Sequence, residues 1–493
     1  MRHAVLIILA TAFATAAAAQ STPDLPDIGS PADATLAQGD EYRIGAMIVR
    51  QLRDQNQILE DPEVDEYLQA VGSRLAAHGS DGGQRFTFFV VREPGINAFA
   101  LPGGFIGINH GLLLATRNES ELASVLAHEI AHVTQRHIAR TIRAQGRQSL
   151  ASAAAVLAAV LIGATTGAGG DAIQGAIAAA QGIAAQQRIN FTRANEYEAD
   201  RVGIGFLASA GFEPAAMADF FETMGRRSGL GGTQLPEFFQ THPVTSNRIA
   251  ESRSRAAHYE RKRIEDSTGY LLARERLRVL SAPRDAQPGD ASSRAAERRD
   301  RGALQDQYAD ALTLMQEGEP GAAAEILAGL LERHEGVTVL YSALGQAQMA
   351  AGLQSDALAT FDHAIGLFPR NVPLSVRYAE ALMAGGRAKD AHTLLLDVFN
   401  NVPPTPAQIR LTALAASAAG DTGDAYYYMS EYHIASGDIA LAGQQLELAL
   451  AAPNLTAVQR ERFRARLAEV REYLLSDRNA RRRAVASDDK RGR

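Results

Sequence analysis

His128-Glu129-Ile130-Ala131-His132 places two imidazoles four residues apart with a carboxylate between them. On a helix that spacing is about one turn, so both rings share a face and can grip one ion. Glu129 points about 100° away around the helix. From there it can act as general base on a water held by that ion. Two protein ligands are too few for a catalytic zinc site, so a third must come from elsewhere in the chain. Glu196-Tyr197-Glu198-Ala199-Asp200 is the natural source, because Glu196 and Asp200 share one helix face at i,i+4. Glu196 is assigned to the metal. Asp200 is assigned behind it, accepting a hydrogen bond from the free ring nitrogen of a ligating histidine. Glu198 faces elsewhere and is the rival ligand. His137 is five residues past His132 and is expected to turn away to the helix surface. The chemistry such a set predicts is metal-assisted hydrolysis of a peptide bond, with one Zn²⁺ per chain.

The elements that must position these groups can be read on either side of them. Glu119 to about Arg143 shows sustained helical periodicity, with Leu122, Val125, Leu126, Ile130 and Val133 on its apolar side. Residues 39–78 read as helical, with Pro62 near the start of a second helix. Phe86–Val91 is a compact β-branched and aromatic run. Ala98–Leu101 and Phe105–Asn109 are short extended segments around the turn Pro102-Gly103-Gly104, which predicts a small sheet beside the helices. Further helices are expected over Asn195–Ala210 and Pro214–Met224. Ser149–Gly170 carries no charged residue. For it a buried or lid helix pair, a membrane-contacting loop and a true span compete; Gly163, Gly167, Gly169 and Gly170 weaken the span, and 149–182 as a whole is expected to be a flap beside the cleft or a peripheral membrane contact.

The rest of the composition narrows the possibilities. Among 493 residues, 49 Lys+Arg against 56 Asp+Glu give a net charge of -7, so no nucleic-acid partner is expected. Cysteine is absent, which excludes disulfides, thiolate nucleophiles and Cys-ligated metals. Arg2 and His3 precede an apolar run and Ala17-Ala18-Ala19, the pattern of a signal peptide cleaved after Ala19 or one residue later, and hence of export.

Beyond the first body the sequence can be counted. Gly318, Gly352, Gly386 and Gly420 are each followed five residues on by Ala323, Ala357, Ala391 or Ala425. A turn glycine between two helices, then a small residue where they cross, is the logic of a tetratricopeptide array with a period of roughly 34 residues. The fold class is therefore mainly α: an α+β zincin-like metallopeptidase domain with a small sheet, followed by an α-solenoid. The expected divisions are a signal peptide 1–19, a leader 20–38, the metallopeptidase domain 39–282, a linker 283–302, the solenoid 303–475 and a basic disordered tail 476–493.

His128–His132 with Glu196-x-x-x-Asp200 resembles the zinc metallopeptidase family that contains the HtpX and CAAX-prenyl proteases. Asn97-Ala98-Phe99-Ala100-Leu101-Pro102-Gly103-Gly104 and Asn195–Arg201 match it as well. Those enzymes span the membrane several times, and this chain departs from them in lacking such spans. Signal peptide, catalytic domain and repeats together are most similar to the family's periplasmic branch, which serves outer-membrane β-barrel assembly. The resemblance implies that Asn97, Ala98, Phe99 and Ala100 edge the cleft and offer backbone groups to an extended substrate. It implies that His242, in Thr241-His242-Pro243, is a fourth ligand that holds the enzyme inactive, and that Arg248 steadies the oxyanion. The implied partners are unfolded or misassembled outer-membrane proteins and the outer-membrane β-barrel assembly machinery. A second reading makes the repeats the main function, a chaperone or scaffold with a structural or silenced metal site. Glu129 argues against it, since a structural site has no use for that carboxylate.

Overall fold

The computed structural model describes residues 38–79, 84–144, 193–229, 238, 241–261, 264–282 and 303–489. The expectations for the signal peptide, the 149–182 segment and the 283–302 linker fall outside them. No helix among the described residues is long and apolar enough to cross a membrane.

The first body opens with α1 (Gln38–Asp54), β1 (Ile58–Leu59) and α2 (Pro62–Ala76). Asp61 caps α2 by accepting from the Val64 N–H, and Pro62 occupies the first turn, where its missing N–H costs nothing. The short β1 is not foreseen by helical periodicity. Its two residues become a strand only by pairing antiparallel with β2 (Thr87–Val91). β3 (Ala98–Leu101) and β4 (Phe105–Asn109) form the expected hairpin, turned by Gly103 and Gly104 at φ +82° and +87°. The sheet runs β1-β2-β4-β3, with β2 and β4 parallel, so β3 is an edge.

Against this sheet lie α3 (His110–Ala115) and α4 (Glu119–Thr134), the latter capped by the Asn118 side chain. Then come α5 (His137–Ala144), α6 (Arg193–Ser209), α7 (Ala216–Gly229), α8 (Ser246–Ala256) and α9 (Thr268–Ser281). One core joins Val90, Ile106 and Ile108 of the sheet to Leu122, Leu126 and Ile130 of α4 and Ile204 and Leu207 of α6. Small residues bring α4 and α6 together: a β-carbon on Gly203 would stand 3.2 Å from the Ala127 backbone.

The second body is an array of antiparallel helix pairs: α10 (Leu304–Glu317) with α11 (Pro320–Leu331), α12 (Thr338–Ala350) with α13 (Gln354–Leu367), α14 (Val372–Ala384) with α15 (Ala388–Phe399), α16 (Pro406–Ala418) with α17 (Thr422–Ala435), and α18 (Ile439–Ala451) with α19 (Ala457–Asp489). The four counted glycines all take left-handed backbone, φ +73° to +86°, at the turn within a pair. Ala323, Ala357 and Ala391 are fully buried where the helices cross. The tail differs from expectation: α19 continues to Asp489 rather than ending near 475. Arg and Ala, both strong helix formers, supply seven of the fourteen residues of 476–489, so charge alone does not melt it.

The two bodies are joined by charge. Arg276 on α9 grips Asp61 with two bonds of 2.7 Å, and Arg377 on α14 donates to Glu63 at 3.0 and 2.8 Å. Ser342 on α12 also donates to Glu63. Burial would raise the Glu63 pKa, but Arg276 and Arg377 outweigh it and hold the carboxyl below its usual range. α9 itself serves both cores, with Tyr270 and Leu277 in the first and Leu272 in the array.

Candidate metal centre

α4 and α6 cross so that His128, His132 and Glu196 converge, and His242 enters from the segment before α8. One donor atom from each of the four lies within 4.8 Å of all the others, and all four residues are buried. His128 Nε2 is 3.0 Å from His132 Nε2 and 3.3 Å from His242 Nδ1; Glu196 Oε1 is 3.5 Å from His132 Nε2 and 3.2 Å from His242 Nδ1. A four-coordinate ion with ligand bonds of about 2.0–2.1 Å separates its donors by about 3.3 Å. The cluster already has that spacing, so these residues fit a metal ion.

Glu129 lies beside the cluster, wholly buried, and among the described residues neither of its oxygens accepts a well-formed hydrogen bond. His242 Nε2 is 3.5 Å from its Oε1, and the Ala100 backbone of β3 borders the carboxylate. Burial pushes Glu129 up, while His242 and His128 pull against it. Burial alone would depress His128, but Asp200 and Glu196 lift it to about 9. Burial and the charge of His128 hold His132 well below its usual value. Glu196 is held well below the carboxylate range despite burial, chiefly by His242 and His128. The pocket thus keeps an anionic ligand among imidazoles.

Behind the cluster, Asp200 Oδ1 stands 2.9 Å from His128 Nδ1. Arg248, which the resemblance assigns to the oxyanion, meets carboxylates in this structure. Its Nε and Nη2 donate to the two Asp200 oxygens at 2.7 and 2.8 Å, and its Nη1 lies 2.9 Å from both Glu196 Oε2 and the Pro243 carbonyl. The guanidinium is buried and paired with both carboxylates. His242 is itself held: its N–H donates to the Phe238 carbonyl at 2.7 Å, and its ring stacks on the Phe238 ring at 5.0 Å. Phe238 in turn donates to Ile96 O, just ahead of Asn97 and β3. Asn97, Ala98 and Phe99 are buried, with Ala100 partly exposed.

His137 requires a correction. It is buried, with Nδ1 2.9 Å from His132 Nδ1. One unbroken helix from Glu119 to about Arg143, as the periodicity predicts, would turn His137 outward. The chain instead breaks at Gln135-Arg136, where Arg136 takes a left-handed φ of +51°. For a side chain other than glycine that costs about 1–2 kcal/mol. An ion pair of 3.0 Å to Glu41 on α1 holds Arg136 there. Only a breaker signal at 135–136 would have revealed the turn, and neither glutamine nor arginine is one. Glu198, the rival ligand, lies outside the cluster and faces His137 at 3.2 Å.

Fold and site together define a metallopeptidase of the HExxH type. The chain belongs to peptidase family M48, in the group of the β-barrel assembly-enhancing proteases. The M48 family model matches residues 62–256, and a tetratricopeptide repeat model matches 355–415. The chain is 31% identical over 457 residues to the β-barrel assembly-enhancing protease of Escherichia coli K12, covering 92% of each chain. A 271-residue stretch is 42% identical to a Vibrio cholerae relative provisionally given the same name, spanning 55% of each chain. The mitochondrial metalloendopeptidase OMA1 of Arabidopsis thaliana is 31% identical over 194 residues, 39% of this chain and 36% of its own.

Proposed function

We propose that this chain is a zinc-dependent endopeptidase of the periplasm that acts on unfolded or misassembled outer-membrane β-barrel proteins. The observation that carries the reading is Glu129, a buried carboxylate bordered by the Ala100 backbone and set beside a four-donor cluster. A carboxylate that costly to bury has a reason to be there, and proton transfer is one. His128, His132 and Glu196 hold the ion. When bound, zinc supplies the charge that acidifies a water and polarises the scissile carbonyl. Glu129 takes a proton from the attacking water and returns one to the leaving amine. Asp200 orients the His128 ring, and Arg248 fixes Asp200 and Glu196 from behind. The edge of β3 over Ala98–Ala100 gives an extended peptide a strand to pair with, directly beside Glu129.

The signal-peptide pattern ending at Ala19 supports the periplasm, and the relatives' name supports β-barrel substrates and a link to the machinery that assembles them. The repeat array supplies the surface for docking them. The 149–182 stretch is the candidate for peripheral membrane contact.

Glu129→Gln is the test. Purified variant should keep one zinc per chain and lose cleavage of a misfolded β-barrel precursor by about 10²–10⁴-fold; cleavage at the wild-type rate would end the reading. His242 as fourth ligand competes with the water that Glu129 must activate. His242→Ala should therefore raise basal proteolysis with zinc content unchanged. Zinc and activity lost together would make it an ordinary supporting ligand.

A further inference from the structure

His128 and His132 are backed differently. Behind His128, a carboxylate touches the ring directly and an arginine holds the carboxylate. Behind His132 the same order recurs with an imidazole inserted. His132 Nδ1 meets His137 Nδ1 at 2.9 Å, His137 Nε2 meets Glu198 Oε2 at 3.2 Å, and Arg140 Nη1 meets the same oxygen at 2.9 Å. The rings of His132 and His137 stand nearly perpendicular, 77°, with centroids 4.8 Å apart. Nothing in the hydrolytic mechanism uses His137, yet the chain adopts the left-handed break at Arg136 that brings it inward.

Hydrogen-bond logic fixes the state of each ring. His132 Nε2 faces the cluster, 3.0 Å from His128 Nε2, and must present a lone pair to bind a metal. Its proton therefore sits on Nδ1. A contact of 2.9 Å between two ring nitrogens needs one donor and one acceptor, so His137 Nδ1 accepts. The proton of neutral His137 is then on Nε2, where the Glu198 carboxylate receives it. Each link dictates the next from Glu198 inward.

We propose that His137 is a positioning residue of the metal centre, locking His132 in its Nδ1–H tautomer and aiming its Nε2 at the ion, with Glu198 and Arg140 anchoring His137. This rests on the metal-site reading above. A metal ligand that loses such a partner typically loses about 10–100-fold in metal affinity.

The experiment uses the full-length zinc-loaded chain. Zinc release is followed with a chromophoric chelator, and cobalt-substituted protein is followed by its visible absorption. His137→Leu should weaken zinc retention by about 10–100-fold and shift the cobalt spectrum. His137→Asn places an acceptor oxygen where Nδ1 stood and should recover most of that loss, which a purely packing role would not do. Glu198→Gln should weaken retention less, in the same direction; its side chain is 26% exposed, so it also serves if the leucine variant does not fold. Wild-type retention in His137→Leu, asparagine no better than leucine, or an unaltered Glu198→Gln would each overturn the assignment. A wild-type protein that binds no zinc would instead defeat the metal reading itself.

Discussion

The two bodies solve the problem of burial in opposite ways. Around the metal centre, ionisable groups fill the interior: His128, Glu129, His132, His137, Glu196, Asp200, His242 and Arg248 are all buried. In the array the deep positions are mostly alanine, leucine and aromatic, and the pattern is a rule of size and handedness. Charge inside the first body must be matched atom by atom, because an unpaired buried ion costs several kcal/mol. The array needs only that small residues recur where helices cross and that glycine recurs where they turn. One region is specified by partners, the other by period.

Three substitutions would break or sharpen that contrast. The largest effect is expected where the bodies meet: Arg276→Met leaves Asp61 buried without its bidentate partner and should cost about 3–5 kcal/mol in denaturant unfolding. A loss near zero would mean that the first body tolerates unmatched charge. Next comes volume in the array. Ala391→Phe forces a ring into a fully buried helix crossing and should cost about 1–3 kcal/mol, while metal binding stays intact. Smallest is handedness. Gly386→Ala meets no atom within 4 Å, so its cost is the left-handed backbone alone, about 1 kcal/mol, readable as a small drop in melting temperature. If alanine there cost more than phenylalanine at 391, the size rule would be the wrong description of the array.

The same contrast governs what could be read from the sequence. The array was legible because its signal repeats, so the phase of Gly318, Gly352, Gly386 and Gly420 located turns that the structure places in left-handed backbone. His128, Glu129, His132 and Glu196 were legible as neighbours because helical spacing puts them on faces that one crossing can bring together. His137 was not, since its placement depends on a helix break at Arg136 stabilised by Glu41, nearly a hundred residues earlier. Arg248 escaped for a similar reason: which carboxylate an arginine meets is settled by how α8 packs against α6, not by its local sequence. The pairing of Asp61 and Glu63 with Arg276 and Arg377 spans more than 200 residues and has no period at all.

That pairing bears on how such proteins can be recombined. Asp61 caps α2, clasps Arg276 and also lies 3.3 Å from Arg377, so one side chain serves a helix end, a body and a junction. The array is accordingly not a cassette to be cut out at the connecting segment and grafted elsewhere. Expressed alone, it would strip Arg377 and Ser342 of Asp61 and Glu63, leaving Arg377 only Glu380 on its own helix, and would uncover the apolar face that Leu272 covers. A chimera built on another catalytic half would have to bring acids to the positions of Asp61 and Glu63 along with the helix that carries Arg276. Lineages that exchange repeats while keeping that acidic pair would preserve the joint; those that lose it would have to invent another.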